Sequence, residues 1–302
     1  MKSNIANPQK VRELVRRHEF KIKKRLGQHF MVSSRVLEQI IDLAEISKTD
    51  RVLEIGPGPG ALTQYLAEKA GEVVAVEIDA TVIPLLKESL KEYSNTRFVI
   101  GDILKLNLDE VMTQVTPDLS LSPAGTEQAL TYKVVGNLPY YITSPIIMGI
   151  LQGSYQIENL VFLVQKEVAE RLAAAPATKE YGLLTIGVQY YAEVVSGGTV
   201  SHDAFWPQPE VESALVKLLP RKEPPVNVVD EDFFFWVARA AFGQRRKTLT
   251  NALIGAPGAN ALNRGIVEGT LHELGIDGRR RGETLSLEEL AALSNILYPF
   301  CR

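Results

Sequence analysis

The chain has 302 residues, 45% of them hydrophobic and 23% charged, with a formal net charge of −3, which allows one large domain with a real core plus a smaller one and argues against a uniformly basic nucleic-acid binder. Its single cysteine, Cys301, excludes an internal disulfide and a cysteine-based metal site, and His18, His29, His202 and His272 lack the paired spacing of zinc ligands, so no metal is expected. No apolar run reaches the roughly 18 residues of a membrane span and the N-terminal stretch is polar and basic, so a cytoplasmic protein without a membrane partner is expected.

Up to residue 35 the chain carries Lys2, Lys10, Arg12, Arg16, Arg17, Lys21, Lys23, Lys24, Arg25 and Arg35 against only Glu13 and Glu19. Further basic clusters stand at Arg245, Arg246, Lys247 and at Arg279, Arg280, Arg281. Any one of these is equally well a solvated helix face. Three on an acidic chain favour a polyanionic partner, because each cation set near a phosphate releases condensed counterions.

Residues 33–46 place Val36, Leu37, Ile40, Ile41 and Leu43 at near-helical spacing, with Ser33 or Ser34 as N-cap. RVLEIGPGPGALTQYLAEKA then reads as strand, glycine-rich turn and helix, EVVAVEID as a second strand, ATVIPLLKESLKEY as a helix and RFVIGDIL as a third strand. Between Leu108 and Tyr132 the pattern lapses into a Ser/Thr/Pro/Gly-rich stretch, a surface excursion to which no role is assigned. The alternation resumes with YKVVGNLPYYITSPIIMGIL and NLVFLVQKEVAERLAAA, and EVVSGGTVSHDAF and SALVKLLP read as closing strands. Such alternation predicts an α/β fold around a doubly wound, mostly parallel sheet. After the Pro-rich linker RKEPPVNVVDED, four amphipathic stretches predict a small helical domain, giving boundaries of 1–220 and 221–302.

Glu54, Gly56, Gly58 and Gly60 sit where the first strand turns into its helix, so the backbone can approach a ligand closely. Glu77 ends the second strand at about the 20-residue spacing expected of a carboxylate that grips ribose hydroxyls. Asp102, ending the third, can accept from the amine of an adenine ring. These residues alone leave a nicotinamide cofactor open.

The next motif discriminates. YKVVG runs into Asn137-Leu138-Pro139-Tyr140. An arylamine such as adenine N6 is a poor nucleophile because its lone pair is delocalised into the ring. Two acceptors, the Asn137 side-chain oxygen and the Pro139 carbonyl, are expected to hold both N6 hydrogens and steer the lone pair, without a strong base. Tyr140 offers a face for an extruded base, and Phe205 is expected to cover the opposite one, unless it is a core aromatic beside Trp206.

With KKRLGQHFM, LEIGPGPGALT, VEID, Gly101-Asp102, VVGNLPYYITSPI, FWPQPEVESALV and FGQRRKTLTNAL in order, the chain resembles the adenine-N6 dimethyltransferases of ribosomal RNA. The resemblance implies a Rossmann-like class I methyltransferase sheet with a reversed last strand, a helical C-terminal domain and S-adenosyl-L-methionine as cofactor. Carried over by motif, His29, Met31, Gly56, Glu77, Asp102 and Asn137 would contact that cofactor. Two of these depart from the commonest pattern, His29 standing where the family usually has Asn and Met31 where it usually has Leu. Lys23, Lys24, Arg25, Arg245, Arg246 and Lys247 would contact RNA. FGQRRKTLTNAL and the well-developed helical domain look like the branch that dimethylates two adjacent adenines near the 3′ end of small-subunit (16S) rRNA, which implies small-subunit rRNA or the pre-30S particle as partner and a place in ribosome biogenesis. The alternative is the branch that modifies large-subunit (23S) rRNA and confers antibiotic resistance. A nicotinamide oxidoreductase has no use for Asn-Leu-Pro-Tyr, and a noncatalytic RNA-binding assembly factor has no use for an intact set of site residues.

Overall fold

The computed structural model describes residues 5–23, 26–114, 131–244, 246–258 and 262–301. In chain order the first elements are α1 (Pro8–Arg17), β1 (Phe30–Met31), α2 (Ser34–Leu43), β2 (Arg51–Ile55), α3 (Ala61–Lys69), β3 (Glu72–Glu77), α4 (Ile83–Ser89), β4 (Thr96–Ile100) and α5 (Leu108–Gln114). There follow β5 (Tyr132–Asn137), α6 (Thr143–Gln152), β6 (Ile157–Gln165), α7 (Lys166–Leu172), α8 (Leu183–Tyr191), β7 (Ala192–Val200), β8 (Phe205–Trp206) and β9 (Ser213–Pro220). The remainder is helical: α9 (Glu231–Phe242), α10 (Leu249–Ile254), α11 (Arg264–Glu273) and α12 (Leu287–Leu297).

A seven-stranded sheet runs in the order β4-β3-β2-β5-β6-β9-β7. Pairing is parallel from β4 through β6, and β9 joins β6 antiparallel, with Leu160 opposite Leu218 and Gln165 opposite Ser213. This is the Rossmann-like sheet with a reversed last strand. β2, β3, β5 and β6 read as nearly continuous buried runs because parallel strands are covered on both faces, whereas β4, at the edge, is only partly buried. From β2 the chain proceeds to β3 and β4 on one side and returns with β5 on the other. Beyond the carboxyl ends of β2 and β5 that reversal opens the crevice where α/β sheets bind ligands.

Residues 8–17, which the sequence offers as part of a basic arm, are a helix with a structural job. Asn7 caps it by accepting from the Gln9 N–H at 2.8 Å, and Pro8 occupies its first turn. Val11, Leu14 and Val15 are buried with Phe20, Phe30, Val82, Leu85 and Leu86, while Lys10, Arg12 and Arg16 stay exposed. A second antiparallel pair sets Phe30 opposite Trp206 and Met31 opposite Phe205.

The chain divides into two compact units, Met1–Ala169 with Val194–Pro220, and Glu170–Glu193 with Arg221–Arg302. The boundary expected at 220 therefore leaves out one segment: Glu170–Glu193 clusters with the helical unit. Its aromatics explain this. Tyr190 stacks on Phe234 with centroids 5.1 Å apart, and the Tyr181 hydroxyl donates to the Leu285 carbonyl at 2.9 Å. They join a core of Val237, Leu253, Leu271, Leu290 and Leu297. Side-chain oxygens of Asp230, Asn263 and Ser286 cap α9, α11 and α12, the last through a capping box with Glu289.

Candidate active site

The crevice at the carboxyl ends of β2, β3 and β5 is a cleft of about 960 Å³ counted out to where it opens to solvent. Its walls bring together His29, Met31, Gly56, Glu77, Asp102, Asn137 and Pro139 from the sequence-predicted set. Apolar surface comes from Ile55, Ile78, Ile103, Ile142 and Ile146.

The glycine turn forms because no other residue adopts its conformation cheaply. Gly56 has φ +69° and Gly58 φ +54°, and a Cβ on Gly58 would stand 3.1 Å from the Phe30 ring. Glu77 is buried, its Oε1 accepting from the Asp79 N–H at 2.8 Å and its Oε2 facing the Gly58 N–H at 3.4 Å. Burial raises the Glu77 carboxyl above the ordinary glutamate range against those hydrogen bonds. Asp102 is half-buried and its Oδ1 accepts from the Leu104 N–H at 3.1 Å.

Glu54 was not among the predicted contacts. It lines the cleft, is 1% exposed, and its Oε2 has no hydrogen-bond partner among the described residues. Burial pushes its carboxyl up to about 8 against a favourable contact with Thr63, and the neighbouring Glu77 adds to the shift. A buried acid with one oxygen unsatisfied is costly unless a ligand completes it. The sequence does carry the signal: Glu54 is the one charged residue inside the otherwise apolar stretch Val52–Ile55. A carboxyl of this kind, a glycine cradle and the ribose-spaced Glu77 fit a nucleoside that also carries positive charge.

At the end of β5, the Asn137 Nδ2 donates to the His29 carbonyl at 2.8 Å, which leaves Oδ1 as an acceptor with no donor among the described residues. The Pro139 carbonyl departs from its expected role. It already accepts from the Ile142 N–H at 3.2 Å and the Thr143 hydroxyl at 3.0 Å, so both lone pairs serve the turn that opens α6. No hydrogen bond reaches the Leu138 carbonyl, one residue earlier, among the described residues.

Tyr140 is half-buried, with its hydroxyl 2.7 Å from the Ser213 Oγ, and Tyr141, 55% exposed, is the tyrosine that lines the cleft. Phe205 departs further. It is 2% exposed, packed in the core with Val36, Leu37 and Leu163, and absent from the cleft wall, because pairing of β8 with β1 turns it inward. Its place is that of the core aromatic.

Lys23 is not a free phosphate contact either. Its Nζ lies 2.6 Å from the buried Asp79 and 3.0 Å from the Thr81 hydroxyl, and Gln28 donates to the same carboxylate at 3.0 Å. Burial works against ionised Asp79, yet these hydrogen bonds hold its carboxyl below the usual range. Asp79 thus ties the segment from Lys23 to Met31 to the end of β3. Arg246 and Lys247 are exposed. Lys24, Arg25 and Arg245 lie outside the described residues, as does most of the excursion after Leu108. Among the described residues there is no group of acidic, His or Cys side chains suited to a metal, and no helix long and apolar enough to cross a membrane.

Comparison with known proteins places these features in a context. Residues 19–297 match the profile of the family described as ribosomal RNA adenine dimethylase. A protein of a Geobacillus species named ribosomal RNA small subunit methyltransferase A is 46% identical over 298 residues, covering 98% of this chain and 99% of that protein. One of the same name from Listeria welshimeri is 46% identical and covers 99% of each. Among solved structures, a dimethyladenosine transferase from Plasmodium falciparum superposes with a TM-score of 0.70 at 26% identity, covering 90% of this chain and 97% of that one. The 23S rRNA methyltransferase ErmE gives 0.64 at 26% identity, over 89% and 99%.

Proposed function

The chain belongs to the ribosomal RNA adenine dimethylase family, and on that premise we propose that it dimethylates N6 of two adjacent adenines in the 3′-terminal loop of small-subunit (16S) rRNA, using S-adenosylmethionine, during ribosome biogenesis in the cytoplasm. Its partner is the rRNA within a pre-30S particle.

Cofactor binding falls to the residues of the cleft. Glu77 takes the ribose hydroxyls and Asp102 the adenine amine, while Gly56, Met31 and the backbone of His29 flank the methionine part. Glu54 offers a carboxylate to the ligand's positive charge. When bound, the cofactor supplies an electrophilic methyl group on a sulfonium.

The Asn137 amide is the single observation that carries this reading. Its orientation is locked by the His29 carbonyl, so Oδ1 is held ready to accept one N6 hydrogen of the target base. The Leu138 carbonyl takes the second, in place of Pro139. With both hydrogens held, the N6 lone pair is turned out of the ring plane toward the place where the bound cofactor would present its methyl group, and the methylated nitrogen would release its proton to solvent. Tyr140 stacks on the extruded base, and Arg246 and Lys247, exposed on the helical unit, contact phosphates.

The test is mass-spectrometric mapping of methylated nucleotides after incubation with unmethylated small- and large-subunit particles. Dimethyladenosine at two neighbouring small-subunit positions is expected. Modification of a single large-subunit adenine would move the chain to the other branch of its family.

A further inference from the structure

Tyr140 is held at two points. Its hydroxyl meets Ser213, 0% exposed on β9, at 2.7 Å. Its ring lies against the His29 imidazole, centroids 5.9 Å apart and planes at 22°. The imidazole is in turn fixed. A carbonyl only accepts, so the 2.8 Å contact between His29 Nδ1 and the Pro207 carbonyl puts a proton on Nδ1. The backbone of the same residue receives the Asn137 amide. One residue therefore braces both the amide that opens the reacting loop and the aromatic that closes it.

We propose that His29 is a positioning residue whose ring sets the plane of Tyr140 for the target adenine, a role distinct from lining the cofactor. The inference rests on the reading of Tyr140 as the platform for that base. With the imidazole covering one face of Tyr140, the base takes the other. The tilt of that platform fixes where N6 lies relative to Asn137 Oδ1, and small errors of placement in a reacting pair are costly in rate. Asn at this position keeps a donor for the Pro207 carbonyl and loses the ring, so the two parts of the role are separable.

Single-turnover methyl transfer, at saturating S-adenosylmethionine and on whichever rRNA the wild-type chain modifies, tests this together with cofactor affinity by calorimetry. His29→Asn and His29→Ala are both expected to slow transfer about 3- to 10-fold, the range of one aromatic stacking contact, with cofactor affinity within about twofold of wild type. In a Tyr140→Ala background the same changes are expected to cost nothing further, because a residue acting through another has no effect once that other is gone. Two results overturn the proposal: cofactor affinity falling in step with the rate, which makes the His29 side chain a ligand, or the full penalty persisting without Tyr140. If Tyr140→Ala alone transfers at the wild-type rate, the platform reading fails, and His29 then has nothing to position.

Discussion

The two ends of the central sheet treat buried charge in opposite ways. At the amino end, the buried Lys133 Nζ is 3.0 Å from Asp50 and 2.7 Å from the Glu45 carbonyl, and the buried Lys217 reaches the Glu45 carboxylate at 2.5 Å. Hydrogen bonding and attraction to Lys217 lower the Glu45 carboxyl. Contacts to Lys133 and Ser47 outweigh burial and lower Asp50. At the carboxyl end, burial raises Glu54 and Glu77, and one oxygen of Glu54 has no partner among the described residues. The first arrangement is complete in itself. The second is complete only with a ligand, so a change at the amino end should cost stability and one at the carboxyl end should cost function.

Lys133→Met gives the largest expected loss of stability. It leaves the half-buried Asp50 with only its Ser47 contacts and the Glu45 carbonyl without its donor, a loss on the order of 1–3 kcal/mol for a buried polar partner removed. Denaturant titration should show that loss while calorimetry shows unchanged cofactor affinity. A variant as stable as wild type would mean the amino-end pairs are ornamental. Next comes Asn137→Ala, which removes the acceptor proposed to hold the target amine in the transition state. At about 2–4 kcal/mol for one preorganised hydrogen bond, single-turnover transfer should fall roughly 30- to 1,000-fold with RNA affinity and folding stability almost unchanged. Transfer at the wild-type rate would remove Asn137 from the mechanism.

Glu54 allows a pH test without substrate. Its carboxyl is raised in the fold from 4.5 to about 8, so the unfolded chain releases that proton first. The stability it contributes is therefore present below about pH 4.5 and is lost as pH rises towards 8. In Glu54→Gln that decline should vanish from the curve of unfolding midpoint against pH, and cofactor binding should weaken. Parallel curves for variant and wild type would show that Glu54 already has its partner in the empty protein. The smallest effect belongs to the helical unit. Arg246→Ala with Lys247→Ala should flatten the dependence of log RNA affinity on log salt, by a slope of about one for each phosphate left without its cation, while cofactor affinity stays as it was. An unaltered slope would place these two side chains away from the RNA.

What the sequence made legible was local. The glycine turn, Glu77 and the loop from Asn137 to Tyr140 are short patterns on strand ends, and each stands on the cleft or beside it. Missing were facts that depend on partners far along the chain. Pro139 is the exception: Thr143, which uses its carbonyl, stands only four residues on, but the turn that brings them together is not written in Asn-Leu-Pro-Tyr. Phe205 faces the core because of Met31, across a pairing that joins β1 to β8. Tyr181 belongs to the helical unit because of Leu285. The helix at Pro8–Arg17 was readable, since Val11, Leu14 and Val15 fall on one face, but the cations around them give the segment the look of a tail.

The division into units carries a consequence for how this architecture can be taken apart. The chain passes from one unit to the other after Ala169, after Glu193 and after Pro220. A module attached at one joint can be cut away cleanly; here a stop at residue 220 would keep Glu170–Glu193 and discard the helices that cover it. Tyr181, Ile186 and Tyr190, all buried in the intact protein, would then face water as a contiguous apolar stripe of the kind that makes truncated proteins aggregate. The two units thus alternate along the sequence, and neither is separable by a single cut of the gene.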